Sequence, residues 1–97
     1  MTKVTIIIPA YNEESTIIQL LEKVRDVSIK NFSLEVLVID DGSADQTVEL
    51  LEERPELYNQ LIKRPFNGGK GAAVIDGLMQ ASGDYILFQD ADLEYDP

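Results

Sequence analysis

The sequence predicts an α/β fold on a parallel sheet, β-α-β-α-β-α-β with strand order 3-2-1-4, and three observations carry that prediction. Short β-branched runs are nearly continuous rather than alternating, as strands covered on both faces are. Stretches between them place apolar residues at helical spacing. The two types alternate along the whole chain without a linker or a low-complexity tract, so right-handed crossovers set helices on both faces of the sheet. This doubly wound, Rossmann-like arrangement reverses its winding between the first and fourth strands, and ligands bind in the crevice at that point.

Taken in order, Val4-Thr5-Ile6-Ile7-Ile8 reads as the first strand, ended by Pro9. Asn12 is the N-cap expected for the helix that follows, Glu13 and Glu14 suit its first turn, and Ile17, Leu20, Leu21 and Val24 mark its buried stripe. Glu35-Val36-Leu37-Val38-Ile39 is the second strand. It is followed by the turn Asp40-Asp41-Gly42 and by a capping box, Ser43 to Gln46, opening a helix that stops before Pro55. Leu61-Ile62-Lys63 is a weaker third strand. Asn67-Gly68-Gly69 leads into a helix through Ala72, Ala73, Val74, Leu78 and Met79, stopped by Ser82-Gly83, and Tyr85-Ile86-Leu87-Phe88 is the fourth strand.

Composition narrows the chemistry. The 97 residues form at most one domain, and a net charge of −10 argues against nucleic acid, whose backbone is bound by Lys and Arg. Anionic membrane surfaces are disfavoured for the same reason. Free nucleotides remain open, because a divalent cation bridges protein carboxylates to a diphosphate. The chain has no Cys and no His, which excludes disulfides, thiolate nucleophiles, Ser-His-Asp catalysis and ordinary zinc sites. No apolar stretch reaches membrane-spanning length and no signal-peptide pattern opens the chain, so the expected location is the cytoplasm.

Three loops converge on the predicted crevice: Pro9 to Glu13, Asp40 to Ser43, and Asp90 to Glu94. In the last of these Asp90, Asp92, Glu94 and Asp96 alternate. On a continued strand, acids two apart would lie about 7 Å from one another and repel by about 2 kcal/mol at an effective dielectric near 20. A cation relieves that repulsion; a solvated acidic tail is the plain alternative. Hard oxygen donors without His or Cys select Mg2+ or Mn2+. Asp40-Asp41 reads either as turn chemistry or as acceptors for a ribose or base edge. Pro9 and Tyr11 together offer an apolar rim suited to a flat base, and Glu13 reads either as a ligand contact or as compensation of the helix dipole. Asn67-Gly68-Gly69-Lys70-Gly71 lacks the spacing of a Walker phosphate loop and reads first as glycines that admit close packing at a helix N-terminus, with a phosphate contact from Lys70 as the alternative.

Together Val4 to Glu14, Val38 to Thr47, Asn67 to Ala73 and Asp90-Ala91-Asp92 resemble, in order and spacing, the family 2 glycosyltransferases, and within them the dolichyl- and polyprenyl-phosphate sugar synthases. The resemblance implies the N-terminal part of a GT-A fold that binds a nucleotide-diphosphate sugar. Pro9, Tyr11, Glu13, Ile39 and Asp41 match positions that hold base and ribose, and Asp90, Ala91 and Asp92 match the D-x-D motif where ribose, diphosphate and divalent ion meet. The implied metal ligands are Asp90, Asp92 and Glu94. Glu94 stands where close relatives commonly carry Gln, so the site gains a charge that bears on metal preference. Because family catalytic domains are about twice this size, the resemblance also implies a donor-binding half, without acceptor contacts or catalytic carboxylate and inactive alone.

Two rival readings make different expectations. A phosphoacceptor receiver domain would use the acidic pair after Val38-Ile39 and phosphorylate Asp90, and labelling by acetyl phosphate would reveal it. A non-catalytic interaction module would leave binding unchanged in Asp92→Ala. Strand order 3-2-1-4 also makes residues 85–88 an open apolar edge, from which homodimerisation through that strand is expected.

Overall fold

A computed structural model describes residues 2–27 and 31–91. Four strands, β1 (Thr2–Ala10), β2 (Phe32–Asp40), β3 (Gln60–Lys63) and β4 (Tyr85–Phe88), alternate with three helices, α1 (Ile17–Arg25), α2 (Thr47–Glu52) and α3 (Lys70–Gln80), and a 3-10 turn spans Pro55–Leu57. All pairings are parallel and the order is β3-β2-β1-β4, as expected. β1 and β2 form the long centre, in register from Thr2 opposite Phe32 to Ala10 opposite Asp40. β4 flanks β1 from Val4 opposite Tyr85, and β3 flanks only the last part of β2, from Leu37 opposite Gln60.

The period of two in a strand sends successive side chains to opposite faces. Ile6, Ile8, Ala10, Val36 and Val38 face one side, where Ile17, Leu20 and Leu21 of α1, Leu51 of α2 and Leu57 cover them. Ile7, Leu37 and Ile39 face the other, against Ala73 of α3. This two-sided burial explains the continuous apolar runs, and each fully buried Ile or Leu contributes about 1.5–3 kcal/mol. α3 lies unusually close to the sheet at Gly77, where a β-carbon would stand 2.8 Å from Ile7 Cγ2 and 2.9 Å from Ile39 Cδ1.

The starts of α1 and α2 differ from the sequence expectation. α1 begins at Ile17 rather than just after Asn12, after a turn in which the Thr16 and Ile17 amides donate to the Glu13 carbonyl at 3.1 and 2.9 Å. Asn12 adopts a left-handed φ of 52°, which Asn tolerates, and its Oδ1 accepts from the Ala44 and Asp45 amides at 2.8 and 3.3 Å. It joins two loops instead of capping a helix. Likewise α2 begins at Thr47, and Ser43 turns back to Asp40: its amide and its hydroxyl donate to the two carboxylate oxygens at 3.0 and 2.5 Å. The α2 start is instead served by Asp45, whose Oδ1 accepts the Thr47 amide at 2.9 Å.

β4 lies at the sheet edge. Tyr85, Leu87 and Phe88 are each more than half exposed, at 63%, 53% and 56%, because α1 and α3 pack over β1 and β2 and leave β4 largely uncovered. Among the described residues, no helix is long and apolar enough to cross a membrane.

Candidate functional site

At the C-terminal ends of β1, β2 and β4 a cleft of about 410 Å³ opens at the point where the winding reverses. Pro9 and Ala10, through which β1 continues past the expected stop at Pro9, line it with Tyr11 and Glu13 of the loop that follows, together with Asp41 from the second loop and Asp90 and Ala91 from the last. Asn67, Gly69, Lys70 and Ala73 complete the wall from the start of α3. Residues as distant in sequence as Pro9, Asp41 and Asp90 therefore share one cavity, as the crevice argument requires.

Each position follows from local chemistry. Sheet pairing runs past the strand ends, with the Asp41 amide donating to the Ala10 carbonyl at 2.8 Å and the Gln89 amide to the Ile7 carbonyl at 3.0 Å. The first loop is fixed by the Glu13 amide donating to Thr47 Oγ1 and the Asn12 amide to Ser43 Oγ, both at 2.9 Å. The Thr16 hydroxyl donates to the Ala91 carbonyl at 2.9 Å, tying the start of α1 to the segment after β4. Ala91 itself is buried in the α1-side core, and Tyr11 remains 43% exposed at the rim. Gly42 has a φ of 75°, and a β-carbon there would stand 2.5 Å from the Phe66 carbonyl carbon, so the turn after Asp41 admits no side chain.

The acidic pair divides into two roles. Asp40 is turn chemistry, with both oxygens engaged by Ser43. Asp41, also buried, faces the cleft: its Oδ1 accepts from Arg64 Nε at 2.8 Å and the Gly68 amide at 3.0 Å, and its Oδ2 from the Gly69 amide at 2.8 Å. Arg64 also pairs through Nη1 with Asp76 of α3. That hydrogen bond, against the opposing effect of burial, and then the bond to Asp41 push the guanidinium pKa further up. Asp45, behind the second loop, shows a similar contest. Burial raises its carboxyl pKa, but hydrogen bonds from Thr47 and from the Glu14 amide outweigh burial and hold it below the usual carboxylate range.

Asp90 pairs with the Lys70 ammonium, and both side chains are at least half exposed. A carboxylate at the cleft that already holds a cationic group suits a hard divalent ion, and the chain offers no softer His or Cys donor. Asp92 and Glu94 lie outside the described residues, as does Asp96. Among the described residues no three acidic side chains gather in a metal-binding group. Ile39 is placed away from the cleft lining, with its side chain fully buried beneath α3. Sequence reasoning missed Arg64 and Asp76; the available signal was a basic residue at the C-terminal end of a strand, where the crevice lies.

The receiver reading conflicts with the topology, since that fold places its first strand between the second and third, whereas here β1 lies between β2 and β4. Comparison with known proteins points elsewhere. The chain is 39% identical over 97 residues to a dolichyl-phosphate beta-glucosyltransferase of Trichomonas vaginalis, an alignment covering 92% of this chain and 30% of that protein. The structure of S. aureus TarS 1-349 in complex with UDP-GlcNAc superposes with a TM-score of 0.79 at 36% identity, over 93% of this chain and 26% of that one. The mannosyltransferase PcManGT of Pyrobaculum calidifontis, in complex with GDP-Man and Mn2+, gives 0.80 at 32% identity, over 94% and 28%. The chain thus spans about a third or less of the length of these proteins. Its strand order is that of the GT-A fold found in these structural neighbours. The family profile described as Glycosyl transferase family 2 matches residues 5–97, and with the cleft and topology above it settles that the chain belongs to this family.

Proposed function

We propose that this chain is the donor-binding part of a nucleotide-diphosphate-sugar-dependent glycosyltransferase. The observation that carries the reading is the shared cleft, in which an apolar rim of Pro9 and Tyr11, the buried Asp41 and the carboxylate of Asp90 face one space large enough for a nucleotide. Pro9 and Tyr11 pack against the base, and Asp41 and Glu13 accept hydrogen bonds from base or ribose. Ile39 contributes as packing behind that wall rather than as a contact. Asp90, Asp92 and Glu94 would hold a Mg2+ or Mn2+ ion, with Ala91 as the spacer of the motif. Such an ion would supply positive charge to a departing diphosphate.

Lys70, at the first position of α3, lines the same cleft and would face the diphosphate. Its charge then offsets the repulsion between an acidic protein and an anionic ligand. The acceptor is proposed to be a polyprenyl phosphate, by analogy with the dolichyl-phosphate enzyme above. Donor binding, not the complete transfer reaction, is assigned to this stretch. Calorimetric titration with UDP, GDP and their sugars, with and without Mn2+, tests the reading. Metal-dependent binding of at least one nucleotide is expected, and binding of none overturns it.

A further inference from the structure

Arg64 is a largely buried cation that does not line the cleft and yet is held between two acids from different elements. Its side chain is 17% exposed, against 5% for Asp41 and 36% for Asp76. Nε donates to Asp41 at the end of β2, and Nη1 donates to Asp76 in the middle of α3 and, at 3.5 Å, to the Ala72 carbonyl. A β-carbon on Gly68 would stand 2.5 Å from Arg64 Nη2, so the loop is closed down onto the guanidinium.

This arrangement has a consequence for Asp41. A carboxylate offers about four acceptor positions. Arg64 and the Gly68 amide occupy Oδ1 and the Gly69 amide takes one position on Oδ2, which leaves Oδ2 with one acceptor position for a ligand. We infer that Arg64 is a positioning residue for the donor nucleotide, acting through Asp41, and that the Asp76 contact anchors it to α3. The inference rests on the donor-site reading above and extends it to a residue that does not touch the ligand.

A double-mutant cycle on nucleotide affinity tests this, using the chain as it stands. Arg64→Met removes the donors while keeping similar length, and it should weaken UDP or GDP binding by about tenfold, with Arg64→Lys restoring only part because an ammonium lacks the planar fork. In an Asp41→Asn background the same Arg64→Met change should alter affinity by less than about twofold, whereas a merely structural role predicts additive losses in the cycle. Binding of inorganic pyrophosphate with Mn2+ should be unchanged, since that ligand does not use Asp41. If Arg64→Met fails to fold, Asp76→Asn replaces it, with a smaller loss in the same direction, about threefold, and the same dependence on Asp41. Additive losses, an equal loss of pyrophosphate binding, or unaltered nucleotide affinity would each overturn the inference while leaving the donor site in place. A wild-type chain that binds no nucleotide overturns the donor site and this inference with it.

Discussion

Two carboxylates, one in the first half of β2 and one just past its C-terminal end, perform the same mechanical task with different chemistry. Asp41, just past the C-terminal end, holds the Gly68 and Gly69 amides ahead of α3. Glu35, in the first half of the strand, accepts from Thr5 Oγ1 at 2.7 Å, from the Ser82 amide at 2.9 Å and from the Ser82 hydroxyl at 2.8 Å, and so holds the segment after α3. Lys3 donates to the same Ser82 hydroxyl at 2.8 Å, and the Gly83 amide donates to Thr5 Oγ1 at 2.9 Å. Glu35 is satisfied mainly by hydroxyl and amide donors. Asp41 is satisfied by a buried cation and opens onto a cleft. A staple needs only hydrogen bonds; a binding wall needs a fixed charge with an acceptor position to spare.

The largest expected effect comes from breaking the charged end. Asp41→Ala removes the acceptor shared by Arg64 Nε and the Gly68 and Gly69 amides, and urea unfolding should show a loss of about 3 kcal/mol, the upper scale for hydrogen bonds to a charged group. Nucleotide binding should fall below detection in the same sample. Retained affinity would mean that the two carboxylates do not differ in function.

For the other carboxylate, Glu35→Ala should cost about 2 kcal/mol by the same measurement, from lost hydrogen bonds to an ionised acceptor. Nucleotide affinity should stay unchanged, and a parallel loss of binding would erase the contrast. A smaller effect should appear in acid. Burial raises the Glu35 carboxyl pKa, but the bonds from Thr5 and Ser82 and the charge of Lys3 outweigh burial and leave it below the usual carboxylate range. A depressed folded-state pKa contributes stability above the unfolded value, lost as pH falls through the folded one. Thermal melts of Glu35→Gln should therefore fall less steeply than wild type below about pH 4.5. Equal slopes would remove Glu35 from the acid response.

The smallest stability change is expected at Lys70. Its pairing with Asp90 is exposed on both sides, so Lys70→Ala should shift unfolding by less than about 0.5 kcal/mol. Mn2+ affinity measured without nucleotide should rise, because Asp90 loses its competing cation.

Much of this molecule is written locally in the chain. Strand runs such as Ile6-Ile7-Ile8 and Val36 to Ile39, the helical stripe of Ile17, Leu20 and Leu21, and the regular alternation of the two fixed the elements and their order. Crevice logic then brought Pro9, Asp41 and Asp90 together, since strand ends in a parallel sheet share one side. What escaped depends on partners distant in sequence. Asn12 and Ser43 have the composition of helix caps, but Asn12 Oδ1 takes the Ala44 and Asp45 amides and Ser43 Oγ takes the Asn12 amide, 31 residues away. Ile39 sits at a strand end, yet the pleat turns it into the core rather than the cleft. Arg64 pairs with residues 23 and 12 positions away, a separation at which no local pattern signals contact.

The near contact of Gly77 with Ile7 and Ile39 gives α3 an indexing notch. A slip of one position along the helix would bring Asp76 or Leu78 to a point that lacks room even for a methyl group. Insertions or deletions between Lys70 and Gly77 would therefore be transmitted undamped to the lysine at the cleft, because the helix has no freedom to absorb them by sliding.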